Sequence, residues 1–165
     1  MFIKNTCINL NKSNIMDKIV IIELNAEAKK LYSLNEPSQK SVDKECALRD
    51  NNNGKSPNGK IEDFISNVHL NKRVIWVGDT KDEGYTVSID SIVYLPNPND
   101  PDDLDFFHTK NVSGTGGSTG IVTAIVKNDK RLVSKQDIYT VNFSIYENGL
   151  FPKCFHIDPK LAGNP

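Results

Sequence analysis

The chain has 165 residues, 38% of them hydrophobic, and its 20 basic and 21 acidic residues give a net charge of −1. This length fits one globular domain. The near-neutral charge argues against nucleic acid or an anionic membrane surface as the partner. Because the longest apolar run, 19–22, is far shorter than the roughly 20 residues of a membrane-spanning helix, no membrane insertion is expected.

Residues 1–15 are predicted to form a flexible tail that precedes a single domain over residues 16–165. The tail carries two Lys, four Asn and no acidic residue. Met16 directly precedes the first strand pattern and is an alternative start of the native protein. No apolar signal-peptide region follows Lys4, which favours a soluble protein that is not exported.

Cysteine usage also favours a reducing, cytoplasmic location. Cys7, Cys46 and Cys154 are odd in number and widely spaced, with no C-x-x-C pair, so neither a disulfide framework nor a zinc site is indicated. The alternative is a Cys7–Cys46 bridge in an exported protein, with Cys154 left free.

Short β patterns dominate the chain. The run Lys18–Leu24 is apolar and β-branched on both faces, which predicts a strand buried on both sides. A helical turn is expected next, with Asn25 as N-cap and Ala28 and Leu31 on one side. Further strands are predicted at 72–77, 85–90, 121–126, 138–146 and 153–157, with a short edge strand at 105–107.

Alternation assigns faces within two of these strands. In 85–90, the odd-numbered residues are expected to face the core, and Thr86, Ser88 and Asp90 to face water. In 138–146, the apolar positions from Tyr139 to Ile145 share one face. Trp76, in the strand at 72–77, is expected to be the largest filler of the core.

Residues 33–60 are rich in Asn, Ser and Pro and have no hydrophobic period, so a long polar loop is predicted. Three prolines between 96 and 101 end the strand before them. Six or seven strands with frequent turns and almost no amphipathic helix predict an all-β fold: an antiparallel two-sheet β-sandwich, Ig-like or cupredoxin-like, with about seven strands.

Two loops are candidates for ligand binding. The loop at 97–105 contains four acidic residues that could supply the oxygen ligands of a Ca²⁺ ion: Asp100, Asp102, Asp103 and Asp105. It lacks EF-hand spacing, and a solvated acidic turn is the plainer interpretation. The glycine-rich loop at 114–120 is followed by a strand rather than a helix and has no Lys after its last glycine, so a flexible connection is favoured over a phosphate site.

Cys154 and His156 are the remaining chemical candidates. They are expected to share one face of the last predicted strand with Asp158, while Phe155 and Ile157 face the other way. A copper site needs a loop that brings such ligands to one ion, and a nucleophilic Cys needs a base beside it, whereas these two residues lie roughly 7 Å apart along a strand. The sequence contains no established catalytic spacing, so no enzyme activity is predicted.

The C-terminal half resembles a known family. Four features carry the resemblance: Val74–Trp76 after a polar loop, Leu95–Pro98, the strand Tyr139–Ile145, and Asp158–Pro159 followed by Lys160–Leu161. Together they resemble the PixA/AidA-type bacterial inclusion-body proteins, over residues 18–24 and 72–161. The glycine loop, the loop at 33–60 and His156–Ile157 depart from that pattern. The resemblance implies an Ig-like or cupredoxin-like sandwich, cytoplasmic accumulation and self-association, with no catalytic residues.

The leading functional prediction is a non-catalytic, self-associating structural or inclusion-body-type protein, whose partner is a second copy of itself. Near-zero net charge weakens repulsion between copies and supports it. The alternative is a ligand-binding module, lectin-like or calcium-dependent, that binds a small ligand or glycan with the loops at 97–105 and 114–120. A third hypothesis is an enzyme built on Cys154 and His156.

Overall fold

The structure is a computed structural model that describes residues 18–100 and 103–165, so the tail predicted at residues 1–15 lies outside the described residues. Within the described ranges the chain is mostly β, with 45% strand and 12% helix. The strands are β1 Val20–Ala26, β2 Cys46–Asp50, β3 Ile65–His69, β4 Arg73–Asp79, β5 Tyr85–Tyr94, β6 Asn111–Ser113, β7 Val122–Ile125, β8 Gln136–Glu147, β9 Lys153–Ile157 and β10 Lys160–Asn164. The helices are α1 Ala28–Ser33, α2 Gln39–Lys44 and the 3₁₀ helices Ile61–Asp63 and Lys130–Leu132.

The strands form two sheets that pack together, which confirms the predicted all-β sandwich. Sheet A has the order β2-β1-β4-β7, and sheet B has the order β3-β10-β8-β5-β6. Strand β9 also pairs with β8, so β9 and β10 lie end to end along one edge of that long strand.

The sandwich differs from the prediction in two respects. The described residues form ten strands rather than about seven. The sheets are also mixed rather than wholly antiparallel, because β1 pairs in parallel with β4, and β10 in parallel with β3. Parallel neighbours need a long crossover, and the helices and strands between β1 and β4 provide one.

The core lies between the two sheets and is centred on Trp76. This side chain is 1% exposed and meets the edges of two aromatic rings, Phe107 at 5.6 Å and Tyr139 at 5.9 Å between ring centroids. The prediction that Trp76 fills the core is therefore confirmed. The predicted inward face of 138–146 is also confirmed, since Tyr139, Val141, Phe143 and Ile145 are all buried.

The segment at 33–60 is not a continuous loop. Ser38 caps α2, since its hydroxyl oxygen accepts from the backbone N–H of Ser41 at 3.3 Å, and the helix buries only Val42. Strand β2 then pairs with β1 at the edge of sheet A. With so few apolar residues to set a period, both elements escaped the pattern analysis, although Ser38 is a standard N-cap signal.

Two further local predictions are wrong. Asn25 lies inside β1, where it pairs with Ala47, so it does not cap a helix; α1 begins at Ala28 instead. Residues 105–107 form no strand. Phe106 and Phe107 are 1% and 5% exposed, so the apolar pair marks a loop anchored in the core rather than an edge strand.

Candidate functional site

The outer surface of sheet A carries an unusual number of apolar side chains. Side chains alternate across a strand, so the partners of the buried residues in β1, β4 and β7 point away from the core. These outward residues, together called the apolar face, are Ile21, Ile75, Val77, Ile121 and Ile125. Three of them are clearly exposed: Ile21 by 40%, Ile121 by 36% and Ile125 by 52%.

Strand register makes the apolar face continuous. Ile21 of β1 lies beside Ile75 of β4, and Ile75 lies opposite Thr123 of β7. Ile125 lies opposite Arg73, one pleat further along. Neighbouring strands are about 4.8 Å apart, so these side chains form one continuous surface patch.

Positively and negatively charged residues surround this patch in equal number. Glu23 accepts from Arg49 at 2.6 Å, and Arg73 and Asp79 occupy outward positions of β4. Burial pushes the pKa of Glu23 upward, but hydrogen bonds from Arg49 and Asn25 outweigh it and hold that pKa below its ordinary value. Two positive and two negative groups therefore frame an apolar centre with no net charge.

The apolar face also corrects a sequence prediction. Lys18–Leu24 was expected to be buried on both sides, yet only Val20, Ile22 and Leu24 face the core, while Ile21 faces solvent. The pattern typical of two-sided burial is present, but the described chain covers one side only. A strand that is apolar on both faces but covered on only one is therefore the sequence signal for this surface.

The predicted calcium residues lie at another end of the molecule, in the loop after β5. Asp102 lies outside the described residues. One carboxylate oxygen of Asp103 accepts from the Tyr94 hydroxyl at 2.6 Å and from the Asn97 backbone N–H at 2.5 Å. Asp105 accepts from the backbone N–H of Phe107 at 2.8 Å. These two carboxylates thus hold the loop in place.

A further acidic residue lies beside this loop, and the sequence pattern did not predict it. Asp137 of β8 is 9% exposed and lies close to Asp103. Burial and then the charge of Asp103 raise the pKa of Asp137 to about 8. Burial likewise raises the pKa of Asp105, and burial followed by the bond to Asp103 raises that of Tyr94. Asp137 sits inside a strand pattern, where nothing in the sequence links it to a loop more than thirty residues earlier.

A cavity of about 230 Å³ opens beside these carboxylates, and Asp100, Asp103, Asp137 and Lys160 contribute to its lining. Among residues 18–100 and 103–165, no three His, Cys, Asp or Glu side chains are grouped so that they could hold a metal ion. A calcium site on Asp100, Asp102, Asp103 and Asp105 stays a prediction.

The glycine-rich loop lies away from the acidic loop. Strand β6 separates them: the acidic loop precedes it and the 114–120 loop follows it, so the two leave opposite ends of β6. The glycine loop instead runs along β5, where the Gly120 carbonyl accepts from Ile89 at 2.9 Å and the Gly114 N–H donates to Asp90 at 2.7 Å. A ligand touching both loops would have to span β6.

This loop also covers a side chain that was predicted to face water. Ser88 is 0% exposed, and a Cβ at Gly120 would lie 2.6 Å from its hydroxyl oxygen. Only glycine permits this close approach. Ser88 donates to one carboxylate oxygen of Asp90 at 3.2 Å, so its burial is compensated.

Cys154 and His156 share the outer face of β9, as predicted, and both are exposed. Ser144 donates its hydroxyl proton to Asp90 at 2.6 Å, and its oxygen lies 3.4 Å from the Cys154 sulfur. Because Ser144 has given its one proton to Asp90, the thiol is the donor in the second contact.

The chain matches no protein-family model and no curated protein sequence. The likeness to the PixA/AidA-type proteins therefore depends on the short motifs alone. Within the described part of the chain, no helix is both long enough and apolar enough to cross a bilayer.

Proposed function

We propose that this chain is a non-catalytic, self-associating β-sandwich protein of structural or inclusion-body type, and that two copies pair through the apolar face. One observation carries the proposal: three neighbouring strands place isoleucine and valine side chains on a surface left exposed by the described residues. The resemblance to inclusion-body proteins and the expected cytoplasmic accumulation agree with it.

A second copy is the partner that this surface fits best. The charges around it, Glu23, Arg49, Arg73 and Asp79, cancel within one copy, so two such faces meet without net repulsion. A basic or acidic partner would gain nothing from a frame of this kind. The net charge of −1 also leaves little long-range repulsion between whole molecules.

The size of the face sets the expected strength of pairing. The four strands of sheet A have at most seven residues each, so its outer surface measures at most roughly 19 by 23 Å, or about 440 Å². Stable interfaces bury about 800 Å² per partner. Pairing through this face alone is therefore expected to be weak and to depend on protein concentration.

Sedimentation equilibrium from micromolar to millimolar protein tests the proposal. We expect the weight-average mass of the wild type to rise with concentration. Ile21→Lys on β1 and Ile125→Lys beside β4 on β7 place a charge on opposite sides of the face, and each is expected to lower the mass at every concentration. Ile138→Lys is the matched control, because Ile138 is 42% exposed but lies on sheet B.

Two outcomes would overturn the proposal. A wild-type chain that stays monomeric at every concentration rules out self-association, whether the face is bare or is covered by residues 1–17 or by a different partner. If Ile138→Lys lowers the mass as much as Ile125→Lys does, the apolar face is not the contact surface.

A further inference from the structure

The turn between β8 and β9 presents two apolar side chains to solvent. Leu150 is 57% exposed and Phe151 is 91% exposed. The turn is nevertheless anchored: the Phe151 carbonyl accepts from the Tyr32 hydroxyl at 2.7 Å, and the Leu150 N–H donates to the Glu147 carbonyl at 3.0 Å. An aromatic ring held outward in this way is a strong candidate for an interface anchor. Residues 148–152 are called the tip.

Acidic side chains surround the tip. Glu147 begins the turn, and Asp82 and Glu83 lie in the adjacent turn, which the Asn148 N–H joins through the Gly84 carbonyl at 3.2 Å. Lys81 is the basic residue of that adjacent turn, and Lys153, whose ammonium lies 5.1 Å from the centre of the Tyr32 ring, is a second basic group beside the tip, so these five groups sum to −1 (two positive, three negative). A negative collar disfavours an anionic bilayer or nucleic acid and favours a basic partner surface.

A matching surface exists on the same chain. Between α2 and the 3₁₀ helix Ile61–Asp63 lies a cleft of about 490 Å³, called the lysine cleft, whose lining includes Ile61, Lys40, Lys44 and Lys60. Lysine stems are aliphatic, so they line a cleft for an apolar ring while keeping their charge at its rim. An ammonium group near the face of the ring adds a cation–π attraction.

The charges of the lysine cleft are only partly compensated. Lys60 pairs with Glu62 at 3.3 Å, and Asp43 accepts from the Gln39 amide at 2.7 Å. Lys40 and Lys44 have no ion-pair partner among the described residues. With Lys40, Lys44 and Lys60 counted against Asp43 and Glu62, the cleft carries a net charge of +1, which is opposite in sign to the collar of the tip.

We propose that Phe151 of one copy inserts into the lysine cleft of another copy, with Glu83 and Glu147 of the tip facing Lys40 and Lys44. This inference rests on the proposed self-association and extends it. Pairing through the apolar face is isologous and stops at two copies, whereas a tip-to-cleft contact is heterologous and leaves a free tip and a free cleft for further copies. The two contacts together would produce an open-ended assembly.

A complementation experiment tests the tip-to-cleft contact apart from the apolar face. Ile125→Lys supplies a background with a weakened face. In it, one chain carries Phe151→Ala, which removes the anchor, and the other carries Lys40→Glu with Lys44→Glu, which reverses the charge of the cleft. We expect each variant alone to stay monomeric, and a 1:1 mixture to rise towards twice the monomer mass at high concentration. Leu95→Ala is the control for Phe151→Ala, because Leu95 is 39% exposed outside both surfaces.

The outcomes separate this inference from the proposed function. A wild type that reaches the dimer mass and grows no further overturns the inference but leaves pairing through the face intact. A mixture that stays monomeric, or growth that survives Phe151→Ala in the otherwise native chain, also overturns it. Phe151-dependent binding to phosphatidylserine vesicles with no effect on assembly would assign the tip to a membrane instead and overturn it as well.

Discussion

Asp103, in a loop, and Asp137, in the long central strand of sheet B, line the same cavity. Two neighbouring carboxyl groups repel each other when both are ionised, so burial beside Asp103 favours a state in which one of the two keeps its proton. Burial and the charge of Asp103 assign that proton to Asp137, whose pKa rises to about 8. Among the described residues, the other titratable groups around it are Asp100, Asp105, Tyr94 and Lys160.

This arrangement predicts that stability falls as pH rises. The folded-state pKa of Asp137 is raised above the ordinary value of 3.8, so the folded state binds the extra proton. Its contribution is complete below pH 4 and is lost between about pH 4 and pH 8, by up to about 1.4 kcal/mol per pH unit. Asp137→Asn keeps the size and shape of the side chain but cannot titrate. The free energy of unfolding, measured in urea, should therefore change less with pH over this range in the variant than in the wild type. Parallel pH profiles for the variant and the wild type would contradict the prediction.

The indole of Trp76 donates to the Tyr139 hydroxyl at a long distance of 3.5 Å, and both side chains are buried. Tyr139→Phe leaves the indole N–H without this acceptor and is expected to cost about 1 kcal/mol. Trp76→Ala also empties the centre of the core and is expected to cost about 3–5 kcal/mol. Urea denaturation followed by circular dichroism measures both. Equal losses for the two variants would show that packing around Trp76 is not the dominant contribution.

The two described cysteines are expected to differ sharply in alkylation. Burial, followed by the charges of Asp43 and Glu45, raises the pKa of the Cys46 thiol to about 12, whereas Cys154 is exposed. Iodoacetamide at pH 8 should therefore label Cys154 and spare Cys46 until the protein is unfolded, as peptide mass mapping would show. Labelling of Cys154 much faster than that of a free thiol would favour the hypothesis of an enzyme built on Cys154 and His156.

Calcium distinguishes self-association from the calcium-dependent alternative. Asp103 and Asp105 already accept hydrogen bonds from Tyr94, Asn97 and Phe107, which a bound ion would have to replace. We therefore expect the same thermal midpoint with calcium and with a chelator. A midpoint that calcium raises and the chelator reverses would favour a ligand-binding module, because a ligand of the native state stabilises it.

Local patterns in the sequence were sufficient to predict the fold class and most of the strong strands. Alternation placed Tyr139 and its neighbours on the core face, and the size of Trp76 identified the centre of the core. Both follow from local rules of side-chain direction and apolar burial. The weaker elements escaped for the same reason: β2 and α2 contain too few apolar residues to set a period, and their pairing partners are distant in the chain.

Which apolar residues stay exposed and which polar groups meet depends on how the two sheets are ordered and packed. The run around Ile21 is apolar on both faces, and no local rule says which face a second sheet will cover. The cavity that Asp103 and Asp137 line joins segments far apart in sequence. Such relationships depend on how strands are ordered in the sheets, which neither composition nor periodicity encodes.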